Sequence, residues 1–157
     1  MTSGAREGNV RMRHVNRITP LPAGRSDVRL SLPARPENVA VVRHVLGAFA
    51  DALNLPPGSV DDMRLAVTEA CTNVVRHAYD GLEPGTLEIV IRPAGDIVEV
   101  IVSDTGRGMT TSPDTSGPGL GIPLIAALAH RLVIEHAPHS GSRLAMSFMR
   151  RRPVGAV

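Results

Sequence analysis

Between residues 59 and 79 the chain reads S-V-D-D-M-R-L-A-V-T-E-A-C-T-N-V-V-R-H-A-Y, and its apolar positions recur at helical intervals. Met63, Val67, Ala70, Val74 and Ala78 fall three and four residues apart, which predicts one stripe facing a core. Ser59 is placed to N-cap this helix, with Asp62 completing a capping box and Asp61 and Asp62 suited to the positive end of its dipole. Glu69, Asn73 and His77 lie four apart and form a polar row on another face of the same helix. Such a row can hold a metal ion, activate a nucleophile or be ordinary solvated surface.

The same patterning divides the rest of the chain. Val28 to Leu32 alternates as a short strand. Glu37 to Leu53 predicts a helix with Val41, Val45, Ala48, Phe49 and Ala52 as its stripe, entered through Pro36 and stopped by Asn54-Leu55-Pro56-Pro57-Gly58. Thr86 to Ile91 and Ile97 to Ser103 predict an antiparallel hairpin around Pro93-Ala94-Gly95-Asp96. Asp104 to Pro118 reads as loop, and Gly119 to His130 as a helix with Leu124, Ile125 and Leu128 inward and Pro123 near its start. Leu132 to His136 and Arg143 to Met149 predict a last hairpin around Pro138-His139-Ser140-Gly141. Two hairpins with helices grouped between them fit an α+β two-layer sandwich better than a doubly wound parallel sheet. The expected division is a flexible basic arm at 1–27, a domain at 28–150 and a tail at 151–157.

Composition narrows this picture. A chain of 157 residues is expected to form one domain, and with two Phe, one Tyr and no Trp its core must be aliphatic. The formal net charge is +2, and all 17 basic residues are arginine, so no Walker-type phosphate loop with its lysine exists here. Seven arginines lie between Met1 and Arg35 against Glu7 and Asp27, but no aromatic residues alternate with them, so direct nucleic-acid binding is not expected. Cys71, on the core side of its helix, is the only cysteine and excludes an intrachain disulfide. No apolar run reaches about 18 residues and no signal-peptide core is present, so a cytoplasmic protein without membrane attachment is expected. His130, His136 and His139 lack zinc-like spacing.

Two glycine motifs stand at element ends. Asp104-Thr105-Gly106-Arg107-Gly108 follows a strand, where a carboxylate can accept a hydrogen bond and glycines let backbone approach a flat or charged ligand. Gly117-Pro118-Gly119-Leu120-Gly121 opens a helix, where exposed N–H groups suit phosphate, although a glycine-rich linker reads the same way. Gly141-Ser142, entering the last strand, carries little alone.

E-A-C-T-N-V-V-R-H-A-Y, then D-T-G-R-G-M, then G-P-G-L-G-I, in this order, resembles the ATP-binding fold shared by histidine kinases and gyrase-type topoisomerases (the GHKL or Bergerat group). More narrowly the chain looks like the bacterial anti-sigma-factor serine kinases, over about Val28 to Met149. That resemblance implies a two-layer sandwich of a mixed, mainly antiparallel sheet with about three helices on one face, and ATP and Mg²⁺ as cofactors. It implies Glu69 as the catalytic base, Asn73 as the Mg²⁺ ligand, and Asp104 as acceptor of the adenine amino group in a pocket shaped by Gly106 and Gly108. Gly117, Gly119, Leu120 and Gly121 would wrap the phosphates, Ser142 would stand near adenine, and His77 matches a further family position with a partly structural role. It also implies a homodimer that sequesters a sigma factor and phosphorylates an anti-anti-sigma (STAS-type) antagonist on Ser or Thr. The alternative is an ATP-binding module that switches partners without catalysis. In this chain the segment Met109 to Ser116, between the glycine motifs, contains no cation; only Arg107 is near it, with Arg76 on the helix.

Overall fold

A computed structural model describes residues 9–22, 24, 27–79, 81, 83–107 and 121–150. Its elements run β1 (Val10–His14), β2 (Val28–Pro33), α1 (Pro36–Ala52), α2 (Pro57–His77), β3 (Thr86–Ala94), β4 (Ile97–Asp104), α3 (Gly121–Leu128), β5 (Arg131–Ala137) and β6 (Gly141–Met149). The strands form one six-stranded sheet in the order β1-β5-β6-β4-β3-β2. Only the β1–β5 pair is parallel, so the sheet is mixed and mainly antiparallel as expected.

The first hairpin closes through the two residues Gly95 and Asp96, with Gly95 at a φ of 61°. A two-residue loop with positive φ at its first position matches the twist of the strands it joins. The strands therefore run on through Pro93 and Ala94, further than the alternation alone suggests.

α2 buries Met63, Val67, Ala70, Val74 and Ala78, the predicted stripe, together with Ala66 and Cys71. Its start differs from expectation. The helix begins at Pro57, with Pro56 at the N-cap and no side-chain cap hydrogen bond, so Ser59 lies inside the first turn and no capping box forms. Proline at the first helical position needs no N–H partner and has its φ already set, and that outweighs the Ser59 signal two residues on.

α1 is the second correction. Its buried residues are Val39, Val42, Leu46, Gly47 and Ala50, while Val41 is 43% exposed and Ala48 and Ala52 are also exposed. Val45 and Phe49 border the core. Almost every position from Val39 to Ala50 is apolar or small, so periodicity alone does not fix which side turns inward. Close packing on α2 fixes it, because a Cβ on Gly47 would meet the Arg64 guanidinium at 2.4 Å.

The third difference is at the start of the chain, where residues 10–14 of the expected arm form an edge strand. Val10 and Met12 alternate with arginines and every side chain of β1 is exposed, so the segment carries no burial pattern to read. It is held by its backbone pairing with β5, by Arg13–Glu135 at 3.7 Å, and by the edge-on rings of His14 and His136, 5.0 Å between centroids. β1 and β2 lie on opposite edges of the sheet, and the connection between them passes the face away from the helices. There Arg143 donates to the Thr19 carbonyl, and Arg29 to that of Pro22 at 2.6 Å.

Burial pushes the Cys71 thiol up to about 12. The folded protein is therefore expected to resist a thiol reagent at pH 8 and to react with one equivalent in denaturant; rapid native-state labelling would contradict the buried placement. His136 titrates below the ordinary imidazole range because of desolvation and the nearby His14, against a smaller opposing pull from Asp104. The unfolded chain then takes up this proton first, so stability is expected to fall as the pH drops from about 6.5 towards 5, and His136→Gln to flatten that slope in denaturant titrations. An unchanged slope would remove His136 as its cause.

Candidate active site

The polar row on α2 supplies one wall of the site. Glu69 and Asn73 are half-buried and one helical turn apart. Gly121, the first residue of α3, lies directly against them. A Cβ built on Gly121 would fall 2.9 Å from Asn73 Nδ2, 3.0 Å from Glu69 Oε1 and 3.4 Å from Asn73 Oδ1. The missing side chain thus lets the backbone at the start of α3 come close to a carboxylate and a carboxamide. N–H groups at such an end have no intrahelical partner and favour negative charge. His77, the last residue of α2, is exposed, and its carbonyl accepts a hydrogen bond from Arg107 Nε at 2.8 Å. The row therefore splits, with Glu69 and Asn73 facing α3 and His77 closing the helix end.

The second wall is built round Asp104, the last residue of β4, which is only 4% exposed. A carboxylate at that depth needs donors, and two are in place. Ser142 Oγ donates to Oδ2 at 2.5 Å, and the Gly106 N–H donates to Oδ1 at 2.9 Å. Each oxygen keeps a further lone pair with which to accept from a ligand. Close backbone approach on both sides makes this possible. A Cβ at Gly106 would sit 2.0 Å from the Ala78 carbonyl oxygen, and one at Gly141 would sit 1.9 Å from the Asp104 carbonyl oxygen. Gly141 also has a φ of 106°, a conformation that side chains disfavour. The Arg107 N–H donates to the Ala78 carbonyl at 3.0 Å, which ties the loop after β4 to the end of α2.

Tyr79 belongs to this end as well. Its hydroxyl donates to the Thr86 carbonyl at 2.6 Å and accepts from the Thr105 N–H at 3.0 Å, and its ring covers Gly85. The available signal was its position as the single tyrosine two residues past the α2 polar row. His136 is a second addition. In register it neighbours Ser142, which neighbours Asp104, so the three share the helix-facing side of β5, β6 and β4. Its Nδ1 is buried with no hydrogen-bond partner among the described residues.

Of the residues singled out in the sequence, Glu69, Asn73 and Gly121 come together at one place, and Asp104, Gly106 and Ser142 at another. α2 runs between the two groups. Gly108, Gly117, Gly119 and Leu120 lie outside the described residues. Among the described residues no three His, Cys, Asp or Glu side chains converge as a metal cage. No helix among them is long and apolar enough to cross a membrane.

Residues 32–148 match the model of the histidine kinase-like ATPase domain. The chain is 35% identical over 143 residues to the serine-protein kinase RsbW of Halalkalibacterium halodurans, covering 81% of this chain and 86% of that protein. It is 30% identical over 135 residues to the serine-protein kinase RsbW of Bacillus subtilis, covering 76% and 83%. In structure it is similar to the RsbU and RsbW domains of Rv1364c from Mycobacterium tuberculosis, with a TM-score of 0.65 at 23% identity over 85% of this chain and 34% of that one. A histidine kinase domain from Erythrobacter litoralis EL346 matches with a TM-score of 0.54 at 19% identity over 76% and 62%, which extends the likeness in fold. A carboxylate buried at a strand end, a glutamate–asparagine pair against the start of α3 and a family match over residues 32–148 converge, and the chain belongs to the histidine kinase-like ATPase family.

Proposed function

We propose that this protein is an ATP-dependent serine/threonine kinase that controls a sigma factor by partner switching, binding the sigma factor and phosphorylating an anti-anti-sigma antagonist of STAS type. The observation that carries this reading is the contact of Gly121 with both Glu69 and Asn73, since it sets a base and an oxygen ligand beside a helix N-terminus. The kinase name of the relatives supports the same reaction.

In this reading Asp104 accepts the adenine amino group, with Ser142 and Gly106 holding the carboxylate in place. The first turn of α3 receives the phosphates. Glu69 takes the proton from the antagonist's hydroxyl as its oxygen bonds to the γ-phosphorus, and the bond from that phosphorus to the β,γ-bridging oxygen breaks to release ADP. Asn73 Oδ1, one helical turn from Glu69, is an oxygen donor of the kind that would hold Mg²⁺ with few protein ligands. Bound there, the ion would neutralise charge on the phosphates.

The partner surface follows from charge. A groove of about 300 Å³ on α1 and α2 is lined by Ala40, Arg43, His44 and Arg64. Val41 and Leu65, each on one of these two helices, are exposed. Among the described residues neither Arg43 nor Arg64 has a carboxylate partner, so the groove suits an acidic segment with apolar neighbours. We place the sigma factor or antagonist there, on a homodimer.

The second reading, an ATP-binding module that sequesters its partner without phosphoryl transfer, is favoured by one feature. The chain has no lysine, and Arg107 Nε is engaged with the His77 carbonyl at the end of α2. Incubation with radiolabelled ATP, Mg²⁺ and a cognate antagonist separates the two. Glu69→Ala is expected to slow transfer by about a hundredfold or more while ATP still binds, and Asp104→Asn to weaken ATP binding itself. Absence of transfer by the wild type with ATP bound would select the second reading. Arg43→Glu is expected to weaken partner binding by about tenfold or more, with ATP affinity unchanged. Unaltered partner affinity would move the docking surface elsewhere.

A further inference from the structure

α3 is a short helix with a demanding task. Its eight residues include Gly121 at the first position and Pro123 in the first turn, and Ile125 is its one buried residue. Even helices of about three or four turns are marginal by themselves in water, so the place of α3 is set by what holds it. At the N-terminal end lies the contact with Glu69 and Asn73. The C-terminal end presents carbonyls without intrahelical partners, and these need donors from elsewhere.

The donors come from the opposite end of the chain. Asn9 Nδ2 donates to the Ala126 carbonyl at 2.7 Å and to the Ala129 carbonyl at 3.2 Å. Its own carbonyl accepts the Leu132 N–H at 2.7 Å, which locks Asn9 to the start of β5. Asn9 directly precedes β1, whose parallel pairing with β5 keeps the residue in register. One carboxamide therefore spans the exit of α3 and the entry of β5. The family match begins at residue 32, so Asn9 lies outside the matched region while the groups it holds lie inside it.

We infer that Asn9 is a positioning residue for ATP-dependent phosphoryl transfer: its carboxamide fixes the C-terminal end of α3 and thereby the seat of Gly121 against Glu69 and Asn73. This rests on the assignment of Glu69 and Asn73 given above. The amide is needed as a donor. Asparagine suits the place because its NH₂ carries two hydrogens and can serve two carbonyls at once. An aspartate of the same shape would offer oxygens to carbonyl oxygens and repel them.

The test uses the full chain carrying Asn9→Ala or Asn9→Asp. Amide hydrogen exchange is followed in peptides covering residues 121–129 and 36–52, together with ATP affinity and single-turnover transfer to the antagonist. Both variants are expected to exchange faster in α3 while α1 stays protected. Transfer at saturating ATP is expected to slow by about tenfold, or ATP affinity to fall by that factor if the wild type binds without transferring. Faster exchange in α3 with wild-type transfer and affinity would leave Asn9 as a cap only and overturn the inference. So would faster exchange across the whole chain with unchanged activity per folded molecule. A wild-type protein that binds no ATP would instead refute the proposed function, and the positioning role with it.

Discussion

One face of α2 has to be buried, and the rest of the molecule is arranged so that it can be. The helix touches α1, α3, β3, β4 and β6, and its apolar stripe of Met63, Val67, Ala70 and Val74 sits at the centre of a single core. Burying that stripe leaves no choice about the polar row, which must emerge at the border between core and solvent. Glu69 and Asn73 are half-buried for that reason. The hydrophobic effect thus sets the orientation of the chemical groups, at a gain of roughly 1.5–3 kcal/mol for each large side chain removed from water. The site needs no separate scaffold.

Asp104 adds a second requirement that reaches across the sheet. Its donors come from the loop that follows it and from β6, and the loop is in turn fixed to Ala78 at the end of α2. The first and last hairpins are therefore joined by a buried polar contact as well as by the β4–β6 ladder. Loss of either donor would leave a buried carboxylate short of a partner, which is costlier than the hydrogen bond is worth when made. Gly106 and Gly141 are the glycines on which this closeness depends, since each stands where a Cβ would meet a carbonyl oxygen about 2 Å away.

How much of this was legible in the sequence follows from how much each segment contrasts with itself. α2 mixes apolar and polar residues at helical spacing, so both its buried stripe and its polar row could be read, and the two hairpins were marked by turn residues. α1 is apolar nearly all round, and only its packing on α2 through Gly47 selects the inward side. β1 has no buried side chain, and its brief alternation of two apolar residues with arginines does not stand out; its existence depends on β5, more than a hundred residues away. Within the candidate site, Glu69, Asn73, Asp104 and Ser142 were singled out through the order of the motifs, which resembles a known ATP-binding fold, since each motif alone also has a plain reading. Tyr79 and His136 join the site only through the fold, Tyr79 by its hydrogen bond to a carbonyl on β3 and His136 by its register beside Ser142 on β6. Asn9 is the extreme case, because its partners lie 117 and 120 positions further along.

That separation has a consequence for how the molecule comes into being. A ribosome makes the chain from its N-terminus at about 5–20 residues per second, so β1 emerges many seconds before the strand it must join. During that interval Val10 to His14 has no partner, while α1, α2 and the first hairpin can already associate through contacts close in sequence. The arginines alternating through β1 keep the waiting segment soluble and disfavour pairing with a neighbouring nascent chain. Insertion of β1 beside β5 is then among the last steps of folding, as expected for a contact of such high sequence separation. The order of synthesis thus delays the bracing of α3 until the sheet beneath it exists.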